Sequence, residues 1–259
     1  MMYDVFANFY DELNIGISYK KRAEYFDALV KKHGSDKVRR KKSLLLDLAC
    51  GTGGLSEHFC RLGYDVIGVD GSVAMLNAAM EKKHAGGFDI QYLNQDMTEL
   101  DLFGTIDVAV CASDSLNHLP GFESLQKAVS KVSLFCEPGS LFLFDINTPY
   151  KHRTVLGNNT FVYDTKKVYC VWRNDFFEKN CRVFITLDFF EKASDGSYIR
   201  YEENFSEFAY EAPVIDKLLE NCGFEILGKY GYDSFRECKE NEEKIVYAAR
   251  KRGKERSLL

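Results

Sequence analysis

The 259-residue chain is predicted to fold as a doubly wound α/β domain with an antiparallel β-sheet inserted into it. Three features predict this fold. Short apolar runs alternate with helical stretches in the first half, and a glycine-rich turn follows the first run. After Asn147 the pattern changes to alternating β-type residues. The apolar fraction, 46%, is enough to build the core of such a domain.

The predicted parallel strands are short apolar runs, as a sheet covered on both faces requires. They span 44–48, 66–70, 90–94, 108–112 and 141–146, and helices are predicted between them at 55–62, 73–83 and 122–136. The inserted sheet is expected over 160–210. A helix over 212–221 and strands near 224–230 and 244–249 complete the α/β unit. A helix over 19–33 follows an irregular arm, 3–14, and the chain is expected to fray from Lys251.

Charge, cysteine content and the N-terminus limit the class of protein. The net charge is -5, so no global positive field attracts nucleic acid, and the basic clusters at 37–42 and 250–256 are interpreted as solvated faces. The eight cysteines form no C-x-x-C pair, which indicates a reducing compartment and no metal site. No signal peptide or membrane-spanning run is visible, so we expect a cytoplasmic protein.

The run 44–54, LLLDLACGTGG, passes from a strand through a glycine turn into a helix. Gly51 and Gly53 lack a Cβ atom, so a nucleoside can approach the bare backbone, with the helix N-terminus facing it. Such a turn suits a dinucleotide or S-adenosylmethionine. The dinucleotide fingerprint G-x-G-x-x-G has Ser56 at its third glycine position, which disfavours a dehydrogenase.

Two carboxylates follow the next strands. Asp70 ends the second strand, where it can accept both ribose hydroxyls of either cofactor. Asp96 and Met97 follow the third strand, where the carboxylate can accept the adenine amino group and the Met97 amide can meet a ring nitrogen. A dinucleotide fold has no particular need for a carboxylate there, so the pair favours S-adenosylmethionine.

These motifs together resemble the class I S-adenosylmethionine-dependent methyltransferases. The motifs are LDLACGTG at 46–53, VDGS at 69–72 with Met75, Asp96-Met97, and EPGS at 137–140, where Ser140 replaces the family's usual second glycine. The resemblance implies a seven-stranded Rossmann-like sheet with a reversed last strand. It also implies the cofactor-binding residues: Ala49, Gly51 and Gly53 at the methionine end, Asp70 and Gly71 at the ribose, and Met75, Asp96 and Met97 at the adenine.

The segment 6–13 resembles the start of small-molecule methyltransferases in which an N-terminal tyrosine closes over the cofactor. Tyr10 fits that lid position and is a candidate for positioning the reactants, with Tyr19 close by. Arg22 stands where many relatives have tryptophan.

The loop after the fourth strand, 112–120, is expected at the carboxyl edge of the sheet, where open α/β folds bind ligands. It is similar to the loop of sugar-amine N-methyltransferases, in which a histidine at the His118 position approaches the substrate amine. His118 is therefore the candidate base, and a loop-capping role is the alternative. Ser113 and Asp114 are candidates for the amino end of the cofactor, and Asn117 for the substrate. In the inserted sheet, Trp172 and Arg173 are candidate substrate contacts, with packing as the alternative.

The resemblance predicts methyl transfer from S-adenosylmethionine to nitrogen or oxygen of a small molecule, by a monomer or homodimer. An RNA methyltransferase and a non-catalytic S-adenosylmethionine sensor stay open as alternatives. The expected organisation is a lid arm and helix (1–43), a cofactor-binding core (44–148), an inserted cover that also offers a dimer contact (149–210), the completion of the core (211–251) and a flexible tail (252–259).

Overall fold

The computed structural model describes residues 6–13 and 18–253. The strands are β1 Leu44–Leu48, β2 Asp65–Asp70, β3 Ile90–Asn94, β4 Ile106–Cys111, β5 Cys136–Asn147, β6 Thr160–Asp164, β7 Val168–Phe177, β8 Arg182–Lys192, β9 Tyr198–Phe208, β10 Phe224–Gly231 and β11 Lys244–Lys251. The α-helices are α1 Phe6–Leu13, α2 Tyr19–His33, α3 Asp36–Arg39, α4 Gly54–Arg61, α5 Val73–Gly86, α6 Phe122–Phe135 and α7 Ala212–Asn221.

Seven strands form the main sheet in the order β10-β11-β5-β4-β1-β2-β3. The strands from β1 to β5 pair in parallel, whereas β11 runs antiparallel to both of its neighbours, β5 and β10. The order reverses between β1 and β4, so the loops after these two strands diverge and leave a crevice at the carboxyl edge. The predicted sheet with its reversed last strand is thus confirmed.

The main sheet is covered on both faces. Side chains of α6 and α7, such as Val129 and Leu219, pack with Leu46 and Phe142 on one face. On the other face, α2 and α4 contribute Phe26 and Phe59, which pack with Leu45. This explains why the parallel strands are apolar in nearly every position.

The inserted sheet is antiparallel, with the order β6-β7-β8-β9. Its inner face carries a cluster of buried apolar side chains that includes Phe189 and Phe205. Helix α1 packs on this face, since the rings of Phe6 and Phe9 lie 5.8 and 5.6 Å from that of Phe189. The N-terminal helix therefore joins the inserted sheet to the rest of the domain.

Three element predictions need correction. The arm predicted to be irregular is helical over Phe6–Leu13, because one face of it is buried against the inserted sheet; Tyr3 and Asn14 lie outside the described residues. Strand β5 begins earlier than predicted because Cys136 already pairs with Ile106. Strand β11 continues to Lys251, whose Nζ donates to the Cys222 carbonyl oxygen.

Helix α3 had no counterpart in the sequence prediction, and residues 254–259 of the predicted tail lie outside the described part. Among the residues that the structure describes, no helix is both long enough and apolar enough to cross a membrane.

Candidate functional site

The turn after β1 holds three residues in the left-handed region, Ala49, Gly51 and Gly53, with φ of 57°, 55° and 77°. The Gly51 amide donates to Asp70 Oδ2 at 2.8 Å, and the Ser72 amide donates to Asp70 Oδ1 at 2.8 Å. Burial raises the pKa of Asp70, and these two hydrogen bonds oppose the rise. The ends of β1 and β2 are thereby locked together, with the carboxylate of Asp70 between them.

Gly53 and Ser56 serve packing beneath this turn. A Cβ atom on Gly53 would lie 2.3 Å from the Tyr92 hydroxyl oxygen, so only glycine fits there. Ser56 is fully buried, and its hydroxyl donates to Asp47 Oδ2 at 2.5 Å. Burial raises the pKa of Asp47 to about 7. The residue that breaks the dinucleotide fingerprint is therefore the hydrogen-bond partner of a buried carboxyl group.

The candidate adenine side lies at the ends of β2 and β3, which are neighbours in the sheet. Asp96 Oδ1 accepts hydrogen bonds from the Thr98 amide at 2.7 Å and the Thr98 hydroxyl at 2.8 Å, which caps the turn containing Met97. Met75 is buried on α5, and Gly71 is exposed beside the Gln95 carbonyl. These sequence-predicted residues thus share one end of the carboxyl edge.

Helix α1 covers the turn. The Cε1 atom of Tyr10 lies 3.9 Å from the position that a Cβ atom on Gly51 would take. Asp11 fastens the helix: its Oδ1 accepts hydrogen bonds from the Thr52 hydroxyl at 2.8 Å and the Tyr19 hydroxyl at 2.9 Å, and its Oδ2 pairs with Lys82. Helix α1 therefore lies over the glycine turn, with Tyr10 next to Gly51.

The loop after β4 is held by a carboxylate from β5. Ser113 and Asp114 have positive φ, 59° and 53°, and their amides both donate to Asp145 at 2.8 Å. Asp145 is fully buried and also pairs with Arg22 Nη2 at 2.5 Å. Burial alone would raise the pKa of Asp145, but Arg22 and Lys244 hold it below its ordinary value. Arg22 of α2 thus fixes the loop through Asp145.

Asp114 is surrounded by donors. Its Oδ2 accepts from Asn147 Nδ2 at 2.5 Å, and its Oδ1 lies 3.1 Å from Lys244 Nζ. Burial by itself would raise the pKa of Asp114, but the positive charges of Lys244 and Lys151 keep it far below its ordinary value. Asp114 is therefore ionised at neutral pH.

His118 ends a short 3-10 turn in the same loop and packs against the inserted sheet. Its ring lies 5.2 Å from that of Phe205, and its Nε2 lies 3.7 Å from Glu207 Oε1. Its side chain is 23% exposed. The predicted base therefore lies between the β4 loop and the inner face of the inserted sheet, next to a buried carboxylate.

Three candidate substrate residues have different surroundings. Asn117 is buried, and its Nδ2 donates to the carbonyl oxygens of Asn147 and Phe208, so both of its N–H groups are used by the backbone. Trp172 lies on the inner face of β7, and its Nε1 donates to Asn174 Oδ1 at 2.7 Å. Arg173 points to the opposite face, where it pairs with Asp188 and is 51% exposed. The structure thus places the polar groups of Asn117 and Arg173 against other parts of the chain, and their roles as substrate contacts stay predictions.

Several residues of this cluster were not predicted as site residues: Arg22, Asp145, Asn147, Lys151, His152 and Lys244. Asp145 and Asn147 had a usable signal, since they are polar residues at the carboxyl end of an apolar strand. Lys244 opens the last strand. Glu207 lies in the inserted sheet predicted to cover the site, where the sequence favours a packing or surface role over substrate contact, and His152 carried no signal that distinguishes it from surface residues.

Comparison with known proteins agrees with this geometry. Residues 45–139 match the model of a methyltransferase domain family. The crystal structure of an S-adenosylmethionine-dependent methyltransferase from Clostridium acetobutylicum is 31% identical, with a TM-score of 0.86 over 97% of this chain and 99% of that one.

Two further proteins extend the comparison. A putative methyltransferase of Geobacillus sp. (strain WCH70) is 28% identical over 97% of this chain and all of its own length. The sugar N-methyltransferase KedS8 from Streptoalloteichus sp. shares the fold at 20% identity, with a TM-score of 0.75 over 98% of this chain and 94% of that one.

Proposed function

The chain belongs to the S-adenosylmethionine-dependent methyltransferases, and from this premise we propose that it methylates nitrogen or oxygen of a small molecule. The observation that carries the proposal is the crevice between the loops after β1 and β4. One side presents the glycine turn with Asp70, and the other presents His118 beside Glu207. Family membership also sets aside the dehydrogenase alternative.

The residues on the first side fit S-adenosylmethionine. Gly51 has positive φ and no side chain to block a ligand, and the Asp70 oxygens that face the two amides retain lone pairs for ribose hydroxyls. In the proposal Asp70 and Gly71 hold the ribose, Met75, Asp96 and Met97 surround the adenine, and Ala49, Gly51, Ser113 and Asp114 line the methionine end. Gly53 keeps a supporting role, because its bare Cα faces Tyr92.

The bound donor supplies an electrophilic methyl group on a sulfonium sulfur. The protein has to align a nucleophilic lone pair with that group and accept the proton that the nucleophile loses. We assign alignment to Tyr10 and proton acceptance to His118, with Trp172 as part of the acceptor pocket. As the new bond to the methyl carbon forms, the carbon–sulfur bond breaks with its electron pair on sulfur, and the proton moves to His118.

The surroundings of the crevice favour a small acceptor. Helix α1 packs on Phe189 of the inserted sheet while Tyr10 lies over Gly51. In this proposal the N-terminal segment (1–43) is the lid over the cofactor, and the inserted segment (149–210) covers the acceptor. The sugar N-methyltransferase fold neighbour is consistent with such an acceptor. Within the described residues of the two basic clusters, Lys37, Arg40 and Arg250 each pair with a carboxylate, which weakens the case for RNA.

The test is to incubate the protein with S-adenosylmethionine labelled in its methyl group and a fractionated cell extract. We expect the label in the small-metabolite fraction, and the Asp70→Ala variant serves as the control that lacks cofactor binding. Label in RNA would replace this proposal with the nucleic-acid alternative. If no fraction became labelled although the protein bound S-adenosylhomocysteine tightly, the protein would be a non-catalytic S-adenosylmethionine sensor.

A further inference from the structure

Glu207 of β9 is a carboxylate held between three separate parts of the chain. It is 3% exposed. Its Oε2 accepts a hydrogen bond from Asn147 Nδ2 at 2.8 Å and lies 3.4 Å from His152 Nε2. Its Oε1 lies 3.7 Å from His118 Nε2. One oxygen is thus anchored by the core and the inserted segment, and the other faces the candidate base.

His152 keeps Glu207 ionised. This histidine is fully buried, and its Nδ1 lies 3.0 Å from the Cys181 carbonyl oxygen, which can only accept, so Nδ1 carries a proton. Its Nε2 faces the Glu207 carboxylate. Burial alone would lower the pKa of His152, but Cys181 and Glu207 raise it to about 9. Burial would likewise raise the pKa of Glu207, whereas His152 and His118 hold it below its ordinary value.

We propose that Glu207 is a positioning residue that determines which nitrogen of His118 accepts the proton of the methyl acceptor. The carboxylate binds the Nε2–H group of His118, which leaves Nδ1 as the basic nitrogen. When Nδ1 takes the proton from the acceptor's nitrogen or oxygen, the ring becomes an imidazolium whose charge Glu207 compensates. A carboxylate that fixes the tautomer of a basic histidine acts by the same physical principle in hydrolases.

The inference deepens the proposed function, since it rests on His118 as the base. Among the described residues, Asp114 is a further carboxylate near His118. Asp114 belongs to the same loop and is offset by Lys244 and Lys151, and Glu207 is itself offset by His152.

The test is long-range proton–nitrogen NMR of the imidazole rings between pH 5 and 10, with S-adenosylhomocysteine bound. The chain has five histidines, so single substitutions assign every ring. In the unmodified protein we expect neutral His118 to carry its proton on Nε2. In Glu207→Gln this preference for the Nε2–H form should be lost, so that the Nδ1–H and Nε2–H forms are both seen. Glu207→Asp, which keeps the carboxylate, should restore part of the preference.

Glu202→Gln is the matched control, because Glu202 lies on the outer face of the same strand and pairs with Arg200. It should leave the tautomer of His118 unchanged. A proton on Nδ1 of neutral His118 in the unmodified protein would overturn the inference without any variant. An unchanged tautomer in Glu207→Gln would overturn it as well.

The proposed role of His118 as the base is tested separately, by measuring turnover. If the His118→Asn variant turned over normally, the role of His118 as the base would fail. The dependence of the His118 tautomer on Glu207, measured in the proteins that retain His118, would stand in that case.

Discussion

The two sides of the crevice are built in different ways. The carboxylates after β2 and β3 accept backbone amides from residues close in sequence: Gly51 donates to Asp70 across 19 positions, and Thr98 donates to Asp96 across two. At the ends of β4 and β5 the amides of Ser113 and Asp114 donate to Asp145 across 32 and 31 positions, and side chains from distant segments meet, such as Asn147 and Glu207 across 60 positions. A local motif is enough to bind a methyl donor of constant shape. The side chains at the ends of β4 and β5, in contrast, are brought together by the tertiary fold.

The comparison implies that the stability of the fold depends on the buried charge pairs at the ends of β4 and β5. Arg22→Ala should lower the free energy of unfolding by about 3 kcal/mol, because it leaves the buried Asp145 carboxylate without its arginine partner. Chemical denaturation measures this loss. Lys37→Ala, which removes an exposed ion pair with Glu137, is the control and should be nearly silent. Equal effects of the two substitutions would refute the structural importance of the Arg22 pair.

Substitutions on the two sides of the crevice should also affect different quantities, turnover on one side and cofactor affinity on the other. His118→Asn should lower turnover about 100-fold, the usual contribution of a proton acceptor, while the affinity for S-adenosylhomocysteine stays within about twofold. The same change at His84, which is exposed on α5, should alter neither quantity. Unchanged turnover in His118→Asn would make this histidine a structural residue of the loop.

On the donor side, Asp70→Ala should weaken S-adenosylhomocysteine binding by about tenfold or more, since it removes charge-assisted hydrogen bonds to the ligand and to the Gly51 amide. Isothermal titration calorimetry measures the affinity. Asp65→Ala, at the opposite end of the same strand, is the matched control. Full affinity in Asp70→Ala would contradict the assignment of the ribose site.

The smallest effect is expected on the pH dependence of stability, at Asp47 beneath the glycine turn. Its pKa in the folded protein is about 7, above its ordinary value of 3.8, so the folded state binds a proton that the unfolded state has lost. Stability should therefore fall as the pH rises from 4 to 7. Asp47→Asn cannot ionise, so its stability relative to the unmodified protein should rise by about 1 kcal/mol between pH 6 and 7.

Denaturant unfolding at several pH values tests this sign, with Asp65→Asn as the exposed control. Parallel pH profiles for Asp47→Asn and the unmodified protein would show that Asp47 does not titrate in this window.

Prediction succeeded where the physical signal was local. Periodicity found the parallel strands and the helix Tyr19–His33, and apolar runs showed that the sheet is covered on both faces. It missed helix α1, because eight residues without capping signals become helical only when packed against another surface. It did not show on which face of the inserted sheet Arg173 lies, because alternation in a strand does not say which face points inward.

The sequence by itself determined the order of the parallel strands and the methyl donor, because a strand, a glycine turn and a carboxylate on the next strand are adjacent in this parallel sheet. Only the tertiary structure decided which side chains meet at the ends of β4 and β5. Asp145, Asn147, His152 and Glu207 come together because the inserted sheet folds back over the ends of β4 and β5, and their charges are stable there only as partners of one another. Such pairing depends on contacts across the fold, which no local pattern of residues records.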